Sequence, residues 1–145
     1  MKMTLSVNDL TNEATEFKVQ SCSFAFNKAA GKSGRATSQV MGGQINITLY
    51  PEVIDENGST QYTKAFVEWM LDDSVAHDGE IIYYQSDNED MVMKKVEFKK
   101  GFCVALSEGI QAESGERLTQ SITISCLEVE LGNDEMVKYQ NMWQG

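Results

Sequence analysis

The chain has little of several residue types that mark particular classes of protein. It contains one proline, Pro51, one histidine, His77, and three cysteines in 145 residues. A single proline argues against a linker-rich or disordered chain. The cysteines Cys22, Cys103 and Cys126 are odd in number and lack the Cys-x-x-Cys spacing of a zinc site. They predict reduced thiols, as in a cytoplasmic protein.

Positive charge is also scarce. Twelve Lys and Arg residues stand against 22 Asp and Glu residues, and the net charge of −10 argues against general nucleic-acid binding, because it repels phosphate. No run is long and apolar enough to span a bilayer, and residues 1–10 lack the apolar segment of a signal peptide. We therefore expect neither membrane insertion nor a secretory leader. Length and a hydrophobic content of 41% predict one domain over residues 1–145.

Alternation of apolar and polar residues dominates what is present. It predicts half-buried strands of an antiparallel sheet or barrel. Gly101 predicts a turn or a bulge between the last two segments. The alternating segments are 21–26, 44–49, 95–99 and 102–106, and a shorter strand is predicted at 80–85.

A final strand changes parity along its length. Its apolar residues are Ile122, Ile124 and Cys126 on one parity, then Leu127, Val129 and Leu131 on the other. Such a change predicts either a bulge or a change of neighbour. Packing against further copies of the chain and a bulge within a monomeric barrel both remain open.

One segment has helical periodicity. Tyr62, Phe66, Trp69 and Met70 recur at the spacing of one helix face, in a stretch that ends near Leu71. Ser59 or Thr60 could cap its start. The apolar stripe predicts a helix that covers an open edge or end of the barrel.

Motifs for catalysis or cofactor binding do not emerge. His77 lies in a predicted loop, 76–79, without a nucleophile motif, so we expect a solvated histidine and no enzyme. The acidic segment 87–90 lacks the order of a calcium-binding loop and predicts a solvated turn. Residues 31–34 match part of a phosphate-binding loop, but the full spacing before a helix is absent. We expect no catalytic residue, metal site or cofactor.

A basic, glycine-punctuated segment, residues 31–43, separates two of the predicted strands, and we call it the arm. It carries Lys32 and Arg35 and no carboxylate, and Lys28 precedes it. Its length exceeds the ~2–5 residues typical of a hairpin loop, and long connections are often either functional or disordered. The arm is therefore either a solvated loop or a docking element for another copy of the chain.

The order of these elements resembles a known family. An early strand leads to an arm that ends in Gly42-Gly43, then to a strand from Gln44 to Leu49 and a helix with the sequence FVEWM at 66–70. A strand at 80–85 and a last strand ending at 131–133 follow. This arrangement resembles the haemolysin-coregulated (Hcp/TssD-like) tube protein of bacterial type VI secretion, in its Bacteroidetes-type branch.

The resemblance implies a mainly β fold, an antiparallel β-barrel with one α-helix, related to phage tail-tube proteins. It also implies six-membered rings that stack into a tube and deliver effectors, with sheath and spike proteins as further partners. Such a protein starts in the bacterial cytoplasm and leaves without a signal peptide. By the same resemblance, the arm contacts the next ring. This role is assigned to Lys32, Gly34, Arg35, Gly42 and Gly43. The alternative is a monomeric barrel that binds a small apolar ligand.

Charge reversal tests the arm. If Lys28, Lys32 and Arg35 meet acidic residues of the next ring, with 87–90 as the first candidate, then Lys32→Glu with Arg35→Glu will impair stacking. Single rings will stay intact, because the change lies outside the predicted strands. Electron microscopy of the purified variant measures both, and unchanged tubes would exclude the hypothesis.

Overall fold

The computed structural model describes residues 2–10, 16–26, 32, 42–50, 52–53, 63–72, 74–85, 91–111, 117–132 and 137–140. Within these residues, four strands, one helix and four further strands follow in chain order. They are β1 Lys2–Val7, β2 Glu16–Phe24, β3 Gln44–Leu49, β4 Glu52–Val53, α1 Thr63–Leu71, β5 His77–Tyr84, β6 Val92–Gln111, β7 Arg117–Gly132 and β8 Val137–Gln140.

Six of the strands close into an antiparallel barrel. They pair in the order β3–β2–β1–β5–β6–β7, and β3 also pairs with β7, which joins the two ends of the sheet. The short strands β4 and β8 pair with the two ends of β7. The predicted fold class, an antiparallel β-barrel with one α-helix, is confirmed.

The barrel interior is packed with apolar side chains. Because successive residues of a strand point to opposite faces, alternate positions of each strand enter this core. A filled interior is the arrangement of a structural barrel and does not favour the ligand-carrier alternative. The fully buried apolar side chains of the barrel and helix include Leu5, Phe17, Ile45, Ile47, Phe66, Phe98, Ile122, Ile124, Cys126 and Val129.

Strand β2 changes its buried parity at a bulge. Phe17 and Val19 are buried at the start of the strand, whereas Cys22 and Phe24 face the core later. The register with β3 shifts between Val19 and Ser21, which adds one residue and exchanges the faces. The predicted alternation at 21–26 is therefore right, but it misses the two buried residues before the bulge.

Strand β6 is continuous through Gly101. The predicted segments 95–99 and 102–106 belong to this one strand. Of the turn or bulge predicted at Gly101, the structure shows the bulge. Phe98 pairs with Gly79, and Gly101 pairs with His77. Between these two pairs, β6 advances by three residues while β5 advances by two, so β6 carries one extra residue. Lys100 takes a φ of 53° in the bulge, and its N–H donates to Asp78 Oδ1 at 2.9 Å.

The parity change in β7 coincides with a change of neighbour. Ile122, Ile124 and Cys126 are buried, and the next buried apolar residue is Val129. The register with β6 has no shift at this point, whereas the partner on the other side changes from β3 to β8. The predicted change of neighbour is thus observed, and the new neighbour belongs to the same chain.

Helix α1 packs on β6 and on the side chain of Phe17. Phe66 and Trp69 are buried as predicted, and the Phe66 and Phe17 ring centroids lie 4.7 Å apart. Tyr62 and the predicted caps Ser59 and Thr60 lie outside the described residues. Within the described part of the chain, no helix is long and apolar enough to cross a membrane.

Strand β5 begins earlier than predicted. It runs from His77 to Tyr84, so the predicted loop at 76–79 is wrong for its last three residues. The glycine at position 79 led to the prediction of a loop, because glycine is unfavourable in the interior of a strand. Here the backbones approach closely: a Cβ on Gly79 would lie 2.5 Å from Ser6 O and 2.5 Å from Phe98 Cζ.

Gly79→Ala should destabilise the barrel by about 1–3 kcal/mol, because the added methyl group meets backbone that cannot move aside. Gly109→Ala is the matched control, since a Cβ there meets nothing within 4 Å. We expect the control to be neutral or to stabilise by about 0.5 kcal/mol. Urea unfolding measures both, and equal stability of the two variants would contradict this account.

The cysteines are thiols that face the barrel interior. Cys103 and Cys126 are buried and Cys22 is half-buried. Burial raises the pKa of Cys22 and of Cys103 to about 11, and that of Cys126 to about 12, because a thiolate is poorly solvated there. These side chains therefore act as small core residues and not as nucleophiles.

The folded chain should react slowly with a thiol reagent at pH 8. Raising a thiol pKa by two units lowers the thiolate fraction about 100-fold at that pH, and burial restricts access further. All three thiols should react at once in denaturant. A folded-state rate equal to that of the denatured control would show that the thiols are exposed.

Candidate functional site

Phe26, which precedes the arm in the chain, packs against Gly42 near the end of the arm. A Cβ on Gly42 would clash with Phe26 Cδ1. The ring of Phe26 also packs on Tyr139 of β8, with centroids 4.8 Å apart. Only glycine fits at position 42 without displacing this packing. We call the end of the barrel with Phe26 and Gly42 the arm end.

Gly43 joins the arm to the barrel wall. Its φ of 83° lies in the left-handed region that favours glycine. Its carbonyl oxygen accepts a hydrogen bond from the Cys126 N–H at 2.8 Å. Of the five predicted contact residues, Gly42 and Gly43 thus lie side by side at the base of the arm. Lys32 is exposed in a turn, and Gly34 and Arg35 lie outside the described residues.

Beside the arm, four adjacent strands present an outer surface of small, uncharged and mostly polar residues, which we call the neutral face. Cross-strand pairing arranges it in rows. One row is Ser21, Thr48, Ser121 and Ser107, and the next is Ser23, Asn46, Thr123 and Ala105. Ser21, Ser23, Asn46 and Thr48 come from β2 and β3, and the rest from β7 and β6.

Hydrogen bonds within these rows hold the polar side chains in place. Thr123 Oγ1 donates to Asn46 Oδ1 at 2.8 Å, and the hydroxyl groups of Thr48 and Ser121 lie 3.1 Å apart. A shallow groove of about 230 Å³ runs between the rows. The surface can therefore exchange hydrogen bonds with water or with a passing protein, but it offers no charge to either.

The absence of charge extends along all four strand segments. Residues 19–26, 42–50, 101–107 and 118–127 contain no Asp, Glu, Lys, Arg or His, although charged residues make up 23% of the chain. Sequence reasoning missed this surface. A usable signal existed, since the polar positions of these alternating segments carry Ser, Thr, Asn and Gln where other strands carry Lys and Glu.

The outer surface of β5 and the first part of β6 is charged. Lys95 Nζ lies 2.9 Å from Glu97 Oε1 and 3.2 Å from Glu80 Oε2. Hydrogen bonds to Glu97 and then Glu80 raise the pKa of Lys95. These side chains are about one-third exposed, so solvent weakens the pairing. The barrel thus separates a charged side from a neutral side.

His77 lies at the other end of the barrel from the arm. Its Nδ1 is 2.9 Å from Asn8 O, which can only accept, so Nδ1 carries the proton. Its ring meets the Trp69 ring at 89°, with centroids 5.3 Å apart. These contacts give His77 a structural role at the start of β5. We call this end, with residues 7–10, His77 and α1, the helix end.

Comparisons with known proteins agree with this geometry. The family model described as "Hemolysin coregulated protein Hcp (TssD)" matches residues 1–144. No curated protein sequence matches the chain.

Solved structures show the same fold. Hcp1 from Flavobacterium johnsoniae is 23% identical, with a TM-score of 0.75, and the match covers 97% of this chain and 100% of that one. Hcp1 from the E. coli EAEC 042 pathovar is 8% identical, with a TM-score of 0.68 and 99% of each chain covered. Hcp2 from Salmonella typhimurium is 10% identical, with a TM-score of 0.65, covering 100% and 99%.

The resemblance inferred from the order of the elements is therefore confirmed. The structural likeness supports the fold, and the family model covers nearly every residue. The chain belongs to the haemolysin-coregulated protein (Hcp/TssD) family, the tube proteins of type VI secretion.

Proposed function

We propose that residues 1–145 form one structural subunit of the type VI secretion inner tube, and that six copies make a ring whose channel is lined by the neutral face. Rings stack through the arm and carry effector proteins, with sheath and spike proteins as further partners. The protein starts in the bacterial cytoplasm and is exported by the system itself. Its role is mechanical and not catalytic.

The neutral face is the observation that carries this proposal. The net charge of −10 per chain places on the order of 60 negative charges on a six-membered ring. A narrow channel focuses the field of charges on its wall. A charged wall would therefore hold cargo of one sign and repel cargo of the other. A wall of hydroxyl and amide groups lets varied cargo pass, because water replaces each hydrogen bond.

The dimensions of the face also suit a channel. Four strands from each of six copies, at ~4.8 Å per strand, give a circumference of about 115 Å and a backbone-to-backbone diameter of about 37 Å. A folded domain of ~100 residues has a radius of gyration of about 13 Å, hence a diameter near 33 Å. Strand tilt widens the channel further. A small folded effector is therefore of the right size.

The second side of the barrel suits the outside of the ring. The pairing of Lys95 with Glu80 and Glu97 keeps charge on the surface away from the neutral face. Charge exposed to solvent favours solubility. The same barrel can therefore present charge outward and a neutral wall inward.

Matched cysteine variants test the assignment of the two sides. Ser23→Cys lies on the neutral face and Ser6→Cys on the outer surface of β1. In assembled tubes, a maleimide carrying a long polymer should label the Ser6→Cys variant and spare the Ser23→Cys variant, while a small maleimide labels both. The native thiols do not interfere, because burial raises their pKa values.

Two results would oppose the proposal. Native mass measurement should give about six times the chain mass of 16.2 kDa, and a monomer would support the ligand-carrier alternative. If the polymer reagent labels Ser23→Cys as fast as Ser6→Cys in assembled tubes, the ring stands but the neutral face is not its channel wall.

A further inference from the structure

We propose that a cavity at the helix end of the barrel, rimmed by Asp9, Glu68 and Asp72, binds a Lys or Arg side chain of the basic segment 28–35 of a second copy. The inference rests on the proposed function, because stacking brings the arm end of one copy against the helix end of another. The acidic rim of this cavity would be the partner surface for the positive charge of the arm.

The topology places this acceptor at the correct end. Lys94 Nζ lies 5.2 Å from the centroid of the Phe24 ring, so the start of β6 and the base of the arm share one end of the barrel. Gln85 N–H donates to Met91 O at 2.9 Å, which sets both flanks of the segment 86–90 at that same end. A head-to-tail contact joins unlike surfaces. Acidic residues at the helix end therefore fit the contact better than 87–90.

The cavity lies between the turn that follows β1, residues 8–10, and one face of α1. It has a volume of about 150 Å³, and Leu10, Ala65, Trp69, Val75 and His77 complete its lining. Asn8 holds the turn from both sides: its N–H donates to Asp78 O at 2.8 Å, and its carbonyl accepts from His77 Nδ1 at 2.9 Å. Asp9 follows with a φ of 61°, a conformation that Asp tolerates. The rim is thus held in position.

The three rim carboxylates suit an organic cation. Hydrogen bonds from the Ser74 hydroxyl and N–H, at 2.7 and 2.8 Å, lower the pKa of Asp72, so it stays charged at neutral pH. Glu68 meets Lys64 only at 3.7 Å in an exposed pair, which leaves most of its charge available. Over the described residues, no three His, Cys, Asp or Glu side chains are close enough to hold a metal ion. A Lys or Arg side chain needs no such cluster, because its ammonium or guanidinium group can pair with a single carboxylate of the rim.

Trp69 provides an independent indication of an occupant. Its side chain is 3% exposed, and its Nε1–H has no acceptor among the described residues. An unsatisfied buried donor is costly, by about 1–3 kcal/mol. An incoming chain segment carries main-chain carbonyl groups as well as cations. An occupant that shifts the Trp69 ring can offer this N–H a main-chain carbonyl, an acceptor that the described cavity wall does not provide.

Charge exchange tests the proposal on the full chain. Glu68→Lys with Asp72→Lys should reduce stacked tubes by at least about tenfold while single rings persist, because a cation then meets a cation. Adding Lys32→Glu and Arg35→Glu to that variant should restore stacking. Glu16→Lys is the matched control: Glu16 is exposed at the helix end but does not line the cavity. It should stack like the unchanged chain.

A spectroscopic readout accompanies the microscopy. In a Trp143→Phe background, Trp69 is the remaining tryptophan, and its emission should shift when rings stack and not when they are single. The shift should be absent in the Glu68→Lys, Asp72→Lys variant.

The possible outcomes distinguish failure of the proposed tube function from failure of the cavity proposal. If the unchanged chain forms no rings, the proposed function fails. If it stacks, and the Glu68→Lys, Asp72→Lys variant stacks equally well, the cavity proposal fails and the tube function stands. Loss of stacking in Glu16→Lys to the same extent, or no rescue by the charge exchange, would also overturn the cavity as the specific acceptor.

Discussion

The pairing of β3 with β7 is the contact on which the rest of the structure depends. It runs from Gln44 opposite Ser125 to Thr48 opposite Ser121, and it converts an open sheet into a barrel. Closure removes two exposed strand edges and divides every strand into an inner and an outer face. The inner positions become the core. The outer positions of β2, β3, β7 and β6 become neighbours, and the neutral face exists only because of this closure.

Strand β6 contributes to both the charged side and the neutral side of the barrel. The first part of β6 contributes Lys95 and Glu97 to the charged side, and residues 101–107 contribute no charge to the neutral side. The bulge at Lys100 lies between these two parts, and the register shift between Cys103 and Ala105 lies within the second. Both irregularities change the direction in which the following side chains point. A strongly acidic chain repels copies of itself, so contacts between copies need either a neutral surface or carboxylates that are paired with cations.

The two ends of the barrel differ in kind. The arm end carries packed aromatic rings around Gly42 and the sequence neighbours of a basic segment, whereas the helix end carries exposed carboxylates around a cavity. A subunit with unlike ends suits a directional stack, while a two-fold contact would pair like with like. The position of α1 is central to this difference. Its buried Phe66 and Trp69 fasten it to the barrel, and its exposed Glu68 faces the cavity.

The sequence by itself determined the local elements and the chemistry of the arm. Alternation at Ile45, Ile47 and Leu49 and the helical spacing of Phe66 and Trp69 were sufficient, because periodicity reports which side of its own element a residue occupies. Only the tertiary structure decided where β2 shifts parity, that β6 continues through Gly101, and which strand covers β7 after Cys126. It alone brought Ser23, Asn46, Thr123 and Ala105 into one row. Register between strands distant in sequence is set by barrel closure and core packing, and no local pattern encodes those contacts.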